Sequence, residues 1–105
     1  MTEMSVAELA RRRAANEELL LLDVREPDEV ATASIAGATV IPMREVPLHL
    51  AELPTDRPIV VMCHHGSRSA AVTAFLNANG YPTAVNLDGG IDAWSLHIDP
   101  AVARY

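Results

Sequence analysis

The feature that most constrains the fold of this 105-residue chain is the stretch at residues 59–69, Ile-Val-Val-Met-Cys-His-His-Gly-Ser-Arg-Ser. Its first four residues form a continuous apolar run, which is typical of a strand buried on both faces of a parallel sheet. A short loop begins at Cys63, the only cysteine, and apolar residues then recur at helical spacing as far as Leu76. The stretch therefore predicts a strand, a loop that carries one thiol, and a helix.

The loop has the features expected of a site for a nucleophilic thiol. A loop that turns into a helix N-terminus directs several backbone N–H groups at one point, where the helix dipole adds partial positive charge. Gly66 permits backbone conformations that other residues resist, and His64, His65 and Arg68 add positive charge. Cys63 is therefore predicted to ionise more readily than an ordinary thiol, the alternative being a free cysteine that only packs in the core.

Further strands are predicted along the chain and alternate with helices. They lie at about residues 19–24, 39–41, 59–62 and 83–87, and a short first strand is expected before Ser5. One of the predicted helices covers residues 46–53. This order predicts an α/β fold with a mainly parallel central sheet of four to five strands, helices on both faces, and right-handed crossovers.

Two charged residues follow the second predicted strand, at the end where open parallel sheets place their ligand sites. Asp23 is expected to accept hydrogen bonds from nearby loop N–H groups. Arg25 has two possible roles: it pairs with Glu26 or Asp28, or it faces the Cys63 loop. Asp23 and Arg25 are thus candidates for a supporting layer behind the thiol.

The motif Cys63-x-x-Gly66-x-Arg68-Ser69 resembles the active-site loop of the rhodanese domain, a sulfurtransferase fold. Three other segments resemble motifs of that family and occur in the same order: Leu-Leu-Asp-Val-Arg-Glu at 21–26, Ile-Ala-Gly-Ala at 35–38 and Asn-Leu-Asp-Gly-Gly-Ile-Asp-Ala-Trp at 86–94. The resemblance implies one three-layer rhodanese-like domain over residues 1–105. Its motif-bearing core covers about residues 5–96, and residues 97–105 form a tail with no assigned role.

The resemblance also implies a reaction. Cys63 would attack the sulfane sulfur of an anionic donor such as thiosulfate, sulfite would leave, and the resulting persulfide would pass its terminal sulfur to cyanide or a thiol. Arg68 would neutralise the charge of the donor. The residues implied in substrate binding are those of the loop: His64, His65, Gly66, Ser67, Arg68 and Ser69.

Three alternatives to this reaction are open from the sequence. The first is a cysteine phosphatase, because a group of phosphatases shares the fold. Phosphatase loops place five residues between Cys and Arg, whereas this loop has four, so it is expected to fit one sulfur atom and not a phosphate. The second is a relay that passes persulfide sulfur to a sulfur-carrier protein, and the third is a binding module without turnover.

Composition restricts partners and cofactors. The net charge of −6 argues against nucleic acid or an anionic membrane surface as the main partner. A single cysteine excludes an internal disulfide, and no metal or cofactor is expected because adjacent histidines rarely converge on one ion.

No apolar run reaches membrane-spanning length and the N-terminus does not resemble a secretory signal, so a reactive thiol predicts a cytoplasmic location.

Overall fold

The computed structural model of the chain describes residues 2–105. Five strands form one sheet in the order β1-β5-β4-β2-β3, and every adjacent pair is parallel. The strands are β1 (Glu3–Met4), β2 (Leu20–Asp23), β3 (Thr39–Val40), β4 (Ile59–Met62) and β5 (Ala84–Leu87). The predicted parallel α/β architecture is confirmed, with five strands.

The helices are α1 (Val6–Ala14), α2 (Pro27–Thr32), α3 (Ser67–Ala78) and α4 (Gly90–His97), and a 3₁₀ helix covers Met43–Glu52. The helix predicted at residues 46–53 therefore begins earlier and has 3₁₀ geometry. Its tighter winding starts where the Glu45 N–H donates to the Pro42 carbonyl at 2.8 Å. Among residues 2–105, no helix is long and apolar enough to cross a membrane.

Two apolar cores lie on the two faces of the sheet, as the alternation of side chains along a strand requires. In β4, Val60 and Met62 pack in the core that includes residues of α1 and α4. Ile59 and Val61 pack in the other core, with residues of α3 and the 3₁₀ helix. The predicted placement of helices on both faces is confirmed. Because β4 is the central strand, between β5 and β2, Cys63 lies at the carboxyl end of the sheet, midway between its two edge strands.

The N-terminus of α4 packs directly against the loop that follows β4. The backbone N–H groups of Ile91 and Asp92 donate to the carbonyls of Cys63 at 3.0 Å and His64 at 3.1 Å. Gly90 makes this approach possible, since a Cβ built there would lie 2.5 Å from each of those two carbonyl oxygens. The loop is therefore held from both sides, by β4 before it and by α4 beneath it.

Candidate active site

Cys63 lies at the base of the loop between β4 and α3, and only 1% of the residue is exposed. The Gly66 N–H donates to Sγ at 3.1 Å, and the Ser69 hydroxyl oxygen lies 3.3 Å from Sγ. Gly66 has a φ of 113°, in the left-handed region that favours glycine, and it is the N-cap of α3. The structure thus brings Cys63, Gly66 and Ser69 together around the sulfur.

Opposing effects act on the pKa of the Cys63 thiol. Burial raises the pKa, because a thiolate is poorly solvated inside the protein. Hydrogen bonds from the Ser69 hydroxyl and from the backbone N–H groups of Ser69, Gly66 and Arg68 lower it and outweigh burial, so the pKa lies below its ordinary value. Compared with an ordinary thiol, Cys63 therefore loses its proton more readily to give the thiolate, which is the nucleophilic form.

Arg68 does not present a free positive charge to the loop. Its Nη1 and Nη2 atoms donate to the two carboxylate oxygens of Glu29 at 2.7 and 2.9 Å. The ion pair lowers the pKa of Glu29 to about 2 and raises that of Arg68. The cation expected to neutralise a donor is therefore already paired with the Glu29 carboxylate of α2.

Arg25 is fully buried, and the structure decides between its possible partners. It pairs with neither Glu26 nor Asp28 but with Asp23, through Nη2–Oδ2 at 2.7 Å and Nε–Oδ1 at 3.0 Å. Its other contacts are to the Glu29 carbonyl at 3.3 Å, the Ala33 carbonyl at 2.8 Å and the Tyr105 hydroxyl at 3.0 Å. Burial disfavours its charge, but the Asp23 and Tyr105 hydrogen bonds keep the pKa of Arg25 above its ordinary value. Arg25 therefore ties β2, α2 and the C-terminal tail together.

Asp23 also makes the local hydrogen bond expected from its position. Its Oδ1 accepts from the backbone N–H of Arg25 at 3.1 Å. Oδ1 and Oδ2 both contact the guanidinium of Arg25 as well. The Asp23 carboxylate therefore binds Arg25 at its backbone N–H and at its side chain.

The C-terminal tail returns to the site through Tyr105. Its ring stacks on that of His64, with centroids 3.8 Å apart and planes inclined by 8°. Its hydroxyl donates to the Glu29 carboxylate at 2.7 Å and accepts from Arg25. Sequence reasoning assigned the tail no role, and a single tyrosine outside any periodic segment carries no signal that would have predicted one.

The two histidines of the loop occupy different environments. The His64 ring lies between Tyr105 and His65, and its Nε2 is buried with no hydrogen-bond partner among residues 2–105. Burial lowers the pKa of His64, and the neighbouring His65 lowers it further. The side chain of His65 is 65% exposed, and Ser67 is also at the surface. Of the two histidines, His64 is the one enclosed in the site.

One group of side chains near the loop has the residue types of a metal site. His64, His65 and Asp92 each place a possible ligand atom within 4.8 Å of the others. The two imidazole rings, however, are stacked with centroids 3.8 Å apart, so an ion between them would lie outside the ring planes in which the nitrogen lone pairs point. Asp92 also accepts from Arg104 at 3.0 Å. This geometry is a poor fit for a metal ion.

Asn86 is a site residue that the sequence analysis did not single out. It lies in β5 with 2% exposure, and its Oδ1 is 2.5 Å from the Ser69 hydroxyl oxygen. Its Nδ2 donates to the Gly66 carbonyl at 3.1 Å. A signal was present, because asparagine is uncommon inside a buried strand and a buried amide requires hydrogen-bond partners.

The structure is that of an α/β protein with a thiol held by N–H groups between the central strand of a parallel sheet and a helix N-terminus. The family model described as rhodanese-like domain matches residues 5–97. The chain belongs to the rhodanese-like domain family.

Named relatives agree with this assignment. A protein named "Sulfurtransferase" from Allochromatium vinosum is 40% identical over 98% of this chain and 96% of its own length. A "Probable adenylyltransferase/sulfurtransferase MoeZ" from Mycobacterium tuberculosis is 40% identical over 83% of this chain, which corresponds to 23% of that protein. The crystal structure of a rhodanese-like domain protein from Staphylococcus aureus has a TM-score of 0.87 and 31% identity, and covers 100% of this chain and 99% of its own. The predicted rhodanese-type sulfurtransferase with an α/β fold is confirmed.

Proposed function

We propose that the protein moves a sulfane sulfur from an anionic donor such as thiosulfate to a thiophilic acceptor, through a persulfide on Cys63. The thiolate attacks the outer sulfur of thiosulfate, an S–S bond to Cys63 forms, and sulfite leaves with the electron pair of the bond that breaks. Cyanide or a thiolate then attacks the terminal sulfur, and the electron pair of the persulfide bond returns to Cys63. Thiosulfate and cyanide are the test substrates of this proposal.

The observation that supports the proposal most directly is the set of hydrogen bonds at Sγ. The Gly66 N–H donates to the sulfur, and the N-terminal N–H groups of α3 surround it. These groups stabilise negative charge on the thiolate before attack and on the persulfide afterwards. They supply the main attraction for the donor anion, since the positive charge of Arg68 is paired with Glu29.

A protein acceptor is the second candidate. The matched segment of the mycobacterial relative belongs to a longer protein that is named for an adenylyltransferase as well as a sulfurtransferase activity. By analogy, the Cys63 persulfide would pass its sulfur to a sulfur-carrier protein. We place this reaction in a reducing cytoplasm, because a lone reactive thiol persists there without forming disulfides, and we assign it to a single domain over residues 1–105.

Intact mass spectrometry tests both steps. Mixing the protein with thiosulfate should add one sulfur atom at Cys63, and adding cyanide should remove it as thiocyanate forms. Cys63→Ser is the control and should gain no sulfur while keeping the unfolding temperature of the wild type. Sulfur gain by the serine variant, or no gain by a wild-type thiol that still reacts with alkylating agents, would contradict the use of thiosulfate at this site.

The same preparations distinguish the alternatives. Cys63-dependent hydrolysis of a phosphoester would support a phosphatase. A persulfide that transfers only to a carrier protein would support the relay. A protein that forms no persulfide with thiosulfate, mercaptopyruvate or a protein persulfide would be a binding module.

A further inference from the structure

The hydroxyl of Ser69 has one hydrogen and two acceptors within reach. Ser69 is fully buried, and its Oγ lies 3.3 Å from the Cys63 sulfur and 2.5 Å from Oδ1 of Asn86. A hydroxyl donates one hydrogen bond at a time and accepts others through its lone pairs. The sulfur and the amide oxygen therefore compete for the same hydrogen.

The orientation of the Asn86 amide is determined by its surroundings. Its Nδ2 donates to the Gly66 carbonyl at 3.1 Å and to the Glu3 carboxylate at 3.2 Å. Neither of those oxygens can donate, so reversing the amide would place its oxygen against two other acceptors. Oδ1 is consequently the atom that faces Ser69, and it can only accept.

The direction of the Ser69 hydrogen bond then depends on the charge of the sulfur. When Cys63 is a neutral thiol, the shorter contact of 2.5 Å favours donation of the Ser69 hydrogen to Asn86, which leaves the Ser69 oxygen free to accept from the S–H group. When Cys63 loses its proton, the Ser69 hydrogen turns to the thiolate and the bond to Asn86 is given up. Asn86 therefore stabilises the thiol relative to the thiolate.

We propose that Asn86 is a positioning residue that sets how readily Cys63 ionises, by holding the hydroxyl hydrogen of Ser69 until the sulfur becomes charged. A thiol held in this way reacts less with oxidants at rest, because the thiolate is the form that is oxidised. The hydrogen becomes available when a thiolate or a persulfide anion forms. This role rests on the proposed function for its use in turnover, but it concerns the free thiol and is measured without a sulfur donor.

Alkylation by iodoacetamide across a range of pH measures the ionisation of Cys63 directly, since it is the only cysteine. The test uses a double-mutant cycle with the full-length wild type, Asn86→Leu, Ser69→Ala and the double variant. Leucine has nearly the shape of asparagine and no acceptor. Asn86→Leu should lower the pKa of Cys63 by about half a unit to one unit, the size of one neutral hydrogen bond. In the Ser69→Ala background the same change should leave the pKa unaltered.

Other charged and titratable groups around the loop are constant through the cycle, so their effects cancel. They are His64 and His65 of the loop, Arg68 of α3, Glu29 of α2, Asp92 of α4, Tyr105 of the tail and Glu3 of β1. Glu3→Gln is the matched control, because it keeps an acceptor for Nδ2 and leaves Oδ1 in place. It should shift the pKa less than Asn86→Leu does.

An equal pKa shift in both Ser69 backgrounds would overturn the proposal, because it would show that Asn86 acts by shaping the loop. A rise in pKa on Asn86→Leu would overturn it as well. Thermal unfolding of each variant identifies any that fail to fold.

A measurement on the wild type and Ser69→Ala does not depend on an Asn86 variant. The infrared S–H band of Cys63 should be shifted to lower frequency in the wild type by donation to Ser69, and Ser69→Ala should restore the frequency of a free thiol. Identical bands in the two proteins would reject the proposed direction of the hydrogen bond. If the cycle behaves as expected but no persulfide forms with any donor, the assignment of Asn86 stands and the proposed function fails.

Discussion

Arg68 and Glu29 are joined by two parallel hydrogen bonds of 2.7 and 2.9 Å between the guanidinium and the carboxylate. Bidentate ion pairs of this kind are strong and directional. Arg68 lies in the first turn of α3 and Glu29 lies in α2, so the pair links the helix that follows the Cys63 loop to α2. We infer that the pair holds the loop in register with its surroundings.

Arg68→Ala is therefore expected to slow both half-reactions by similar factors, because the loop loses its attachment to Glu29. Rapid-mixing measurements of persulfide formation from thiosulfate, and of sulfur loss to cyanide, would separate the two steps. Arg44→Ala is a suitable control, since Arg44 forms a more exposed ion pair with Glu26 and such pairs contribute little. A loss confined to the thiosulfate step would instead show that Arg68 leaves Glu29 to bind the donor.

The Arg68–Glu29 pair also predicts how stability depends on pH. The pKa of Glu29 is about 2 in the folded protein, against an ordinary value of 4.5, so the folded state prefers the ionised carboxylate. Its contribution is complete above about pH 4.5 and is lost as the pH falls toward 2. The unfolding free energy of the wild type should exceed that of Glu29→Gln by about 1 kcal/mol at neutral pH, since the pair is partly open to solvent. Denaturant titrations should show this difference closing toward pH 2, and a constant difference would rule out the ion pair as its source.

Gly90→Ala should destabilise the protein and disturb the loop. The new Cβ would lie 2.5 Å from the carbonyl oxygens of Cys63 and His64, both of which are backbone atoms that cannot turn away. Gly80→Ala is the matched control, because Gly80 also has a positive φ but has no atom within 4 Å of the added Cβ. The free energy of unfolding of the control should fall by about 1–2 kcal/mol from backbone strain alone. That of Gly90→Ala should fall further, and the rate of Cys63 alkylation should fall in this variant as well. Equal losses would mean that the α4 N-terminus moves aside freely.

The Tyr105 ring is expected to lower the pKa of His64 by covering its imidazole. Burial lowers the pKa of His64, and Tyr105 covers one face of its ring. Tyr105→Ala should expose the imidazole and raise its pKa toward 6.5, the ordinary value, whereas Tyr105→Phe keeps the stacked ring and should leave the pKa low. Titration of the His64 ring protons by NMR distinguishes the two variants. An unchanged pKa in the alanine variant would show that other groups bury His64.

The parts of the protein that the sequence predicted are encoded locally. The apolar run of β4, the thiol after it and the helical pattern of α3 lie within a few residues of one another, and alternating strands and helices specify a parallel sheet. The Cys63 loop and its family could be identified for the same reason, since the motif is continuous. The earlier start of the 3₁₀ helix at Met43 was not predicted. There the Met43 N–H donates to the Val24 carbonyl at 3.0 Å, a contact that no local pattern encodes.

The distant partners of Arg68 and Arg25 were decided by tertiary structure alone. Arg68 contacts Glu29 across 39 residues of sequence, although other carboxylates were available to it, and Arg25 contacts the Tyr105 hydroxyl across 80. The signs of the charges do not distinguish among the possible partners, because the distances between the groups are set only when the helices are packed. Asn86 reaches Ser69 for a related reason: β5 and α3 become neighbours only when the sheet has formed. The local sequence pattern thus determined where the thiol lies, and only the packing of distant elements decided which side chains surround it.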